Sequence, residues 1–189
     1  MPPKQKYTKQ AIIDAAFELA TKQGIKGLTA RKVADQLKCS TAPVYSYFEN
    51  MKDLEWEVYN KTKDLILEYT RADYTEFPFR NIGIGIVLFA RDQRALFRSL
   101  FMESHDYKAI IDDFLKAASE CTSGDRRFEL FDDTSKLDIM MKMWFVTHGL
   151  ASMICVNVIE NQSREYIEKT LSEIGNVVIG AEIEKAKNK

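Results

Sequence analysis

Residues 52–189 carry almost no strand signal, and the whole 189-residue chain holds only eight glycines and four prolines. Apolar residues recur instead at three- and four-residue spacing, so a sheet-based fold is excluded in favour of helices. Histidine is rarer still. His105 and His148 are far apart, and the three cysteines, at 39, 121 and 155, have no CxxC spacing. That leaves no set of metal ligands at workable intervals. A helical bundle could host a di-metal carboxylate site, but it would need Glu-x-x-His pairs, and there are none. A Gly-rich phosphate loop, a GxSxG elbow and a Cys/His dyad are likewise missing. The expectation is a protein that is not an enzyme, with no catalytic residue, metal or cofactor.

Long hydrophobic runs are also lacking. No apolar core follows the basic arm Met1–Tyr7, so it does not read as a signal peptide. The uncharged stretch Met143–Ile159 contains Thr147, His148, Gly149, Ser152 and Asn157, short of the roughly 20 apolar residues a membrane span requires. No membrane partner is expected. Three cysteines without evident pairing suit a reducing cytoplasm, the location expected here.

Charge is present but unevenly placed. Residues 1–48 hold eight Lys or Arg against three acids, leaving nineteen of the 27 bases and twenty-five of the 28 acids for the remainder. A chain of net charge −1 is thus split between a positive N-terminal segment and a negative remainder. On charge alone, a solvated helical surface and a phosphate-binding surface both fit.

The pattern within residues 29–48 adds a helical corner to that charge. Thr29 can cap a helix whose Val33, Ala34 and Leu37 share a face, leaving Arg31, Lys32 and Lys38 in water. Ser40-Thr41 then starts a second short helix, with Pro43 in its first turn, where a missing N–H costs nothing. Val44 and Phe48, four apart, pin that helix to the core, while Thr41, Ala42, Tyr45 and Tyr47 are left to meet a partner. An earlier helix runs from Thr8, through Ile12, Ile13, Ala16, Phe17 and Ala20, to Gly24. The expected small core is Ile13, Phe17, Val33, Leu37, Val44 and Phe48. Two short helices at a tight corner, in a positive segment, are a way to place one helix in a DNA major groove.

The run Thr8–Leu54, with Ile12-Ile13-Asp14-Ala15-Ala16 leading to Gly24, then Leu28-Thr29, Val33-Ala34 and Val44-Tyr45-Ser46-Tyr47-Phe48, closely resembles the DNA-binding domain of TetR-family bacterial transcription regulators. The resemblance implies that the helix from Thr41 is a recognition helix, that Tyr45 and Tyr47 touch DNA, and that Thr29 and Ser40 serve phosphates. It departs from the family at Met51, where a phosphate-binding lysine is common; Lys52 stands next to it. Pro43 points to apolar contact, such as with a thymine methyl. The expected DNA-contacting set is Thr29, Arg31, Ser40, Thr41, Ala42, Pro43, Tyr45, Tyr47 and Lys52. Without Arg, Asn or Gln on the recognition helix, shape and backbone contacts are expected to carry much of the specificity. The N-terminal arm could reach the minor groove.

The expected architecture is all-α, about nine helices. A three-helix helix-turn-helix domain spans 1–51, and a helical bundle for effector binding and dimerisation spans 52–189. Helices are expected at about 52–71, 81–92, 94–103, 106–121, 135–160 and 163–187, with an exposed polar connection at 122–134. Between Leu137 and Val158 a 4-3-4-3 series, Leu137, Met141, Trp144, His148, Ala151, Cys155 and Val158, coexists with a second apolar face, and two faces suggest a partner helix. The expected homodimer interface uses Ala151, Cys155, Val158, Ile167, Leu171, Ile174 and Val178, with two helices from each copy. The Trp144…His148-Gly149 segment also resembles a signature of one C-terminal (WHG) subgroup of TetR-like regulators. The family resemblance implies a pocket for an unknown, mostly apolar effector, for which Phe89, Phe101, Met102, Tyr107, Met140, Trp144 and His148 are the candidates. The resulting expectation is a homodimeric repressor released from a palindromic operator; an architectural or adapter DNA-binding protein without a ligand is the alternative.

Overall fold

The computed structural model describes residues 7–103, 112, 115–120 and 125–187. Every regular element among them is helical: α1 (Lys9–Gln23), α2 (Ala30–Leu37), α3 (Ala42–Tyr47), α4 (Met51–Arg71), α5 (Pro78–Asp92), α6 (Arg94–Phe101), α7 (Asp133–Cys155) and α8 (Arg164–Lys187). Residues 115–120 are also helical, and single 3₁₀ turns lie at Ile25–Gly27 and Arg126–Phe128. The all-α expectation holds. Two compact units emerge, Met1–Leu65 with Ala95–Glu103, and Ile66–Arg94 with Ser104–Lys189.

In the first unit, side chains stop and start the helices where the sequence indicates. The Thr8 hydroxyl accepts from the Ala11 N–H (3.1 Å) and opens α1. Gly24 ends it at φ 81°, and its N–H returns to the Ala20 carbonyl (2.9 Å). Ile12, Ala16, Ala20, Val33, Val44, Leu54 and Val58 fill the core. Of the six core residues expected, Phe17 and Leu37 are only half-buried. Phe17 lies at the core's edge, with the Lys61 ammonium over its ring, 4.9 Å from the centroid. Lys61 also pairs with Asp14, and Lys9 with Glu57 (2.6 Å), tying α1 to the first half of α4. Residues 95–103 join this unit through Ser99, whose Oγ accepts from the Ile25 N–H (2.9 Å) and donates to the Ala95 carbonyl (3.0 Å). A buried N–H at the start of a 3₁₀ turn has no helical partner of its own, and Ser99 supplies one.

In the second unit α5, α7 and α8 pack mutually, around Ile84, Phe89, Ile139, Trp144, Ile154 and Ile167. Gly85 is the closest approach: a Cβ there would lie 2.3 Å from the Tyr69 carbonyl oxygen. Only glycine lets α5 pass that backbone. Two boundaries differ from expectation. The polar connection around 125–132 is not wholly exposed, since Phe128 and Phe131 are buried, and Phe128 meets Phe79 edge-on at 5.0 Å. The helix expected to reach residue 160 stops at Cys155, because Asn157 turns left-handed (φ 60°) and the Val158 N–H reaches back to the Met153 carbonyl (2.9 Å). That closure satisfies carbonyls which another turn of helix would otherwise have bonded. No described helix is long and apolar enough to cross a membrane.

Candidate functional site

The corner between α2 and α3 is built by caps and one left-handed residue. The Thr29 hydroxyl accepts from the Lys32 N–H (3.3 Å), a contact worth about 1 kcal/mol in comparable caps. Lys38 closes α2 at φ 55°, and the Cys39 N–H returns to the Ala34 carbonyl (2.9 Å). Thr41 precedes α3 without a side-chain cap, and Pro43 occupies its first turn. Val44 and Phe48 are buried as their spacing requires. What remains outward is the expected set: Thr29, Arg31, Ser40, Ala42, Tyr45 and Lys52 are exposed, and Thr41, Pro43 and Tyr47 half-buried. None of the nine is lost to the core. Tyr45 is the more exposed of the two tyrosines on α3, at 56%.

Two of the polar groups at the corner have intramolecular work. The Tyr47 hydroxyl donates to the Tyr7 carbonyl (3.0 Å), so it holds the start of the described chain against α3. The Lys32 ammonium donates to the Gln23 Oε1 and the Gly27 carbonyl, both at 2.7 Å, folding back on the end of α1. Arg31 and Lys38 are the cations left pointing to solvent from α2 and its cap. Sequence inspection overlooked Asn50: its Oδ1 accepts from the Asp53 N–H (3.2 Å) and caps α4 just before Lys52. Asn-x-x-Asp ahead of an apolar helical run was the signal available for it.

Among the candidate pocket residues, Phe89, Met140 and Trp144 are buried in the second unit, and His148 is half-buried. Trp144 and His148 do share a helix face, their rings 5.4 Å apart. Burial pushes the His148 imidazole below its ordinary pKa, toward the neutral form. Phe101 and Met102 belong to the first unit, and Tyr107 lies outside the described residues, as do His105 and Cys121. A cleft does open in the second unit, but none of the seven lines it. Its walls are Phe79, Arg80, Ile82 and Gly83 of α5, Arg127 of the Arg126–Phe128 turn, Met143 and Thr147 of α7, and Leu171, Gly175 and Ile179 of α8. The cleft measures about 440 Å³ out to its open mouth, with an interior of only about 30 Å³.

Of the seven candidate interface residues, Ala151, Cys155, Ile167 and Leu171 are buried within the unit itself; Val178 is half-buried, and Val158 and Ile174 are exposed. Further apolar side chains point outward besides Val158 and Ile174: Leu137, Phe145 and Met153 on α7, Val156 just past it, and Val177 on α8, with Phe145 at 65% and Val177 at 72% exposure. Gly149 and Gly180 have open space where a Cβ would project. Among the described residues no group of His, Cys, Asp or Glu could hold a metal ion.

Comparison with known proteins agrees with this geometry. Residues 12–55 match the family described as bacterial regulatory proteins, tetR family. A TetR-family transcriptional regulator from Streptomyces coelicolor superposes with a TM-score of 0.67 at 13% identity, over 95% of this chain and 87% of that one. A TetR-like regulator from Rhodococcus sp. RHA1 gives 0.62 at 12%, over 88% and 92%. A regulator from Saccharomonospora viridis, solved in complex with choline, gives 0.61 at 16%, over 87% and 93%. At these identities the structural likeness establishes the fold. No curated protein matches the chain in sequence.

Proposed function

We propose that this chain, whose residues 12–55 match the tetR family of bacterial regulatory proteins and whose fold is that of TetR-like regulators, acts as a homodimeric, sequence-specific repressor whose hold on a palindromic operator is released by a small effector. It works in the cytoplasm and contacts DNA through α3 and its flanks. The carrying observation is that eight of the nine candidate DNA residues reach the surface at one helical corner within the positive segment 1–48 of a chain with net charge −1, and the ninth, Lys52, is exposed at the start of α4.

Roles follow from placement. Thr29, Arg31, Ser40 and Lys52 anchor phosphates, while Tyr45, Thr41 and the small Ala42 and Pro43 approach the groove. Tyr47 contributes chiefly through its bond to the Tyr7 carbonyl. The homodimer is supported by the outward stripe Leu137, Phe145, Met153, Val156 and Val177, beside Gly149 and Gly180, where a second copy's helices can approach closely. Reading two half-sites on one face of the duplex requires two α3 helices about 34–36 Å apart, one turn of DNA, and hence two copies of the chain. The effector reading is supported by the cleft among α5, α7 and α8. The choline complex shows that one relative of this fold takes a small organic ligand.

Selection from a random duplex pool with the intact protein tests this reading. A near-palindromic site, a sharp footprint and a dimer mass by light scattering at micromolar concentration are expected. Phe145→Glu should shift the mass to a monomer and weaken operator binding at least a hundredfold. Diffuse, salt-sensitive coating of any duplex would favour an architectural protein instead, and a wild-type monomer would remove the dimer.

A further inference from the structure

The lining of the cleft includes two guanidinium groups set on one aromatic ring. Arg127 lies with its Cζ 4.0 Å from the Phe77 ring centre, and Arg80 with its Cζ at 4.6 Å. Their charges are not equally compensated. Arg127 is paired with Asp125, whose side chain is almost fully buried and which also accepts the Arg127 N–H (3.1 Å). Burial pushes the Asp125 carboxyl up, but the side-chain and backbone hydrogen bonds of Arg127 outweigh it and hold it below the usual range. Arg80 pairs with no carboxylate among the described residues; its hydrogen bond goes to the neutral Asn176 carboxamide (3.2 Å). Asp125, Glu168 and Glu76 act on Arg80 only from beyond ion-pair distance. Partial burial and the neighbouring Arg127 both press the Arg80 guanidinium toward losing its proton.

Behind these cations the walls are apolar: Phe79, Ile82, Leu171, Ile179 and Met143. Met143 is the movable wall. Its Cε lies 3.6 Å from where a Gly175 Cβ would sit, so rotation of an unbranched thioether enlarges the cleft without moving backbone. A half-buried cation lacking a counter-ion at the rim of an apolar cleft is complementary to a ligand that is charged at one end and greasy at the other.

We propose that this cleft is the effector site and is selective for an amphiphilic anion, a carboxylate on a short hydrocarbon body, with Arg80 gripping the head group and the walls of α5, α7 and α8 taking the tail. Selectivity for the anion rests on the cleft alone; its effect on DNA rests on the repressor reading above.

Calorimetry on the intact protein, with octanoate, octan-1-ol and octyltrimethylammonium below their aggregation limits, separates the contributions. Octanoate should bind at least tenfold more tightly than the alcohol or the cation. Arg80→Gln should lose at least tenfold in octanoate affinity with its melting temperature unchanged, Arg80→Lys should recover part of it, and Arg80→Glu should reverse the preference toward the cation. No octanoate binding, equal binding of the cation, or octanoate affinity unchanged in Arg80→Gln would overturn the proposal. Octanoate binding that is lost in Arg80→Gln yet leaves operator affinity unaltered supports the anion site and counts against the release mechanism. Failure to bind any operator defeats the repressor reading while leaving the ligand result standing.

Discussion

The α2–α3 corner and the α7–α8 pair are both helical, but they reveal their working surfaces in different ways. At the corner the helices have eight and six residues, and three of the four ends are marked, by the Thr29 cap, the left-handed Lys38 and Pro43. Few registers are then open, and the buried Val44 and Phe48 leave one outward face. In α7 and α8, of 23 and 24 residues, apolar side chains lie on several faces. Periodicity identifies such faces without saying which of them meets the chain's own core. A surface is legible from sequence when local chemistry fixes the helix ends, and ambiguous when tertiary packing selects among equivalent stripes.

The largest effect that would sharpen this contrast is expected in the second unit. Gly85→Ala sets a methyl group 2.3 Å from the Tyr69 carbonyl oxygen, an overlap with backbone that a rotamer change cannot relieve. Destabilisation of about 3 kcal/mol or more is expected in urea unfolding. A loss under 1 kcal/mol would mean that α5 and the end of α4 are less closely packed than described.

A smaller and more selective effect is expected at the corner. Tyr45→Ala should weaken operator binding about tenfold, the size of one lost contact of 1–2 kcal/mol, with no change in melting temperature, since Tyr45 is exposed. Tyr47→Phe should do the reverse, lowering stability by about 1 kcal/mol through the lost bond to Tyr7, with the lesser effect on DNA. If the two variants exchange these signatures, their assigned roles exchange as well.

The smallest effect concerns pH. His148 has a folded pKa below its ordinary 6.5. Between that folded value and the unfolded one the unfolded chain binds more protons, so its contribution is fully present above about 6.5 and declines as pH falls through the window. His148→Gln should flatten the slope of stability against pH there; an unchanged slope would place the dependence elsewhere.

How much was legible divides along the same line. The all-α class, the caps at Thr8 and Thr29, Pro43 in the first turn of α3 and the outward Tyr45 all follow from residue chemistry within a few positions. The early end of α7 depended on Asn157 adopting a left-handed conformation, a local signal available in the sequence but hidden by the apolar run around it. The expected interface series included Ala151 and Cys155 because its 4-3 spacing is regular. In the structure Ala151 and Cys155 face inward, whereas Leu137 and Val158 at the two ends of that series are exposed, as are Phe145 and Met153. Residues that line the cleft come from α5, α7, α8 and the Arg126–Phe128 turn, separated by tens of positions. Their convergence is a property of packing that no local pattern carries, and for the same reason Phe77, which the two arginines share, stood out in no motif.

Lys38 ends α2 in the left-handed region, where glycine or asparagine sits with less strain. The corner therefore retains a cation at a position where a neutral residue would be the more stable choice. Thermal robustness and grip on a polyanion pull in opposite directions at this one residue. Lys38→Asn should stabilise the fold by about 0.5 kcal/mol while making operator binding weaker and less sensitive to salt. A lineage adapting to heat could follow that route only by accepting a looser hold on its DNA.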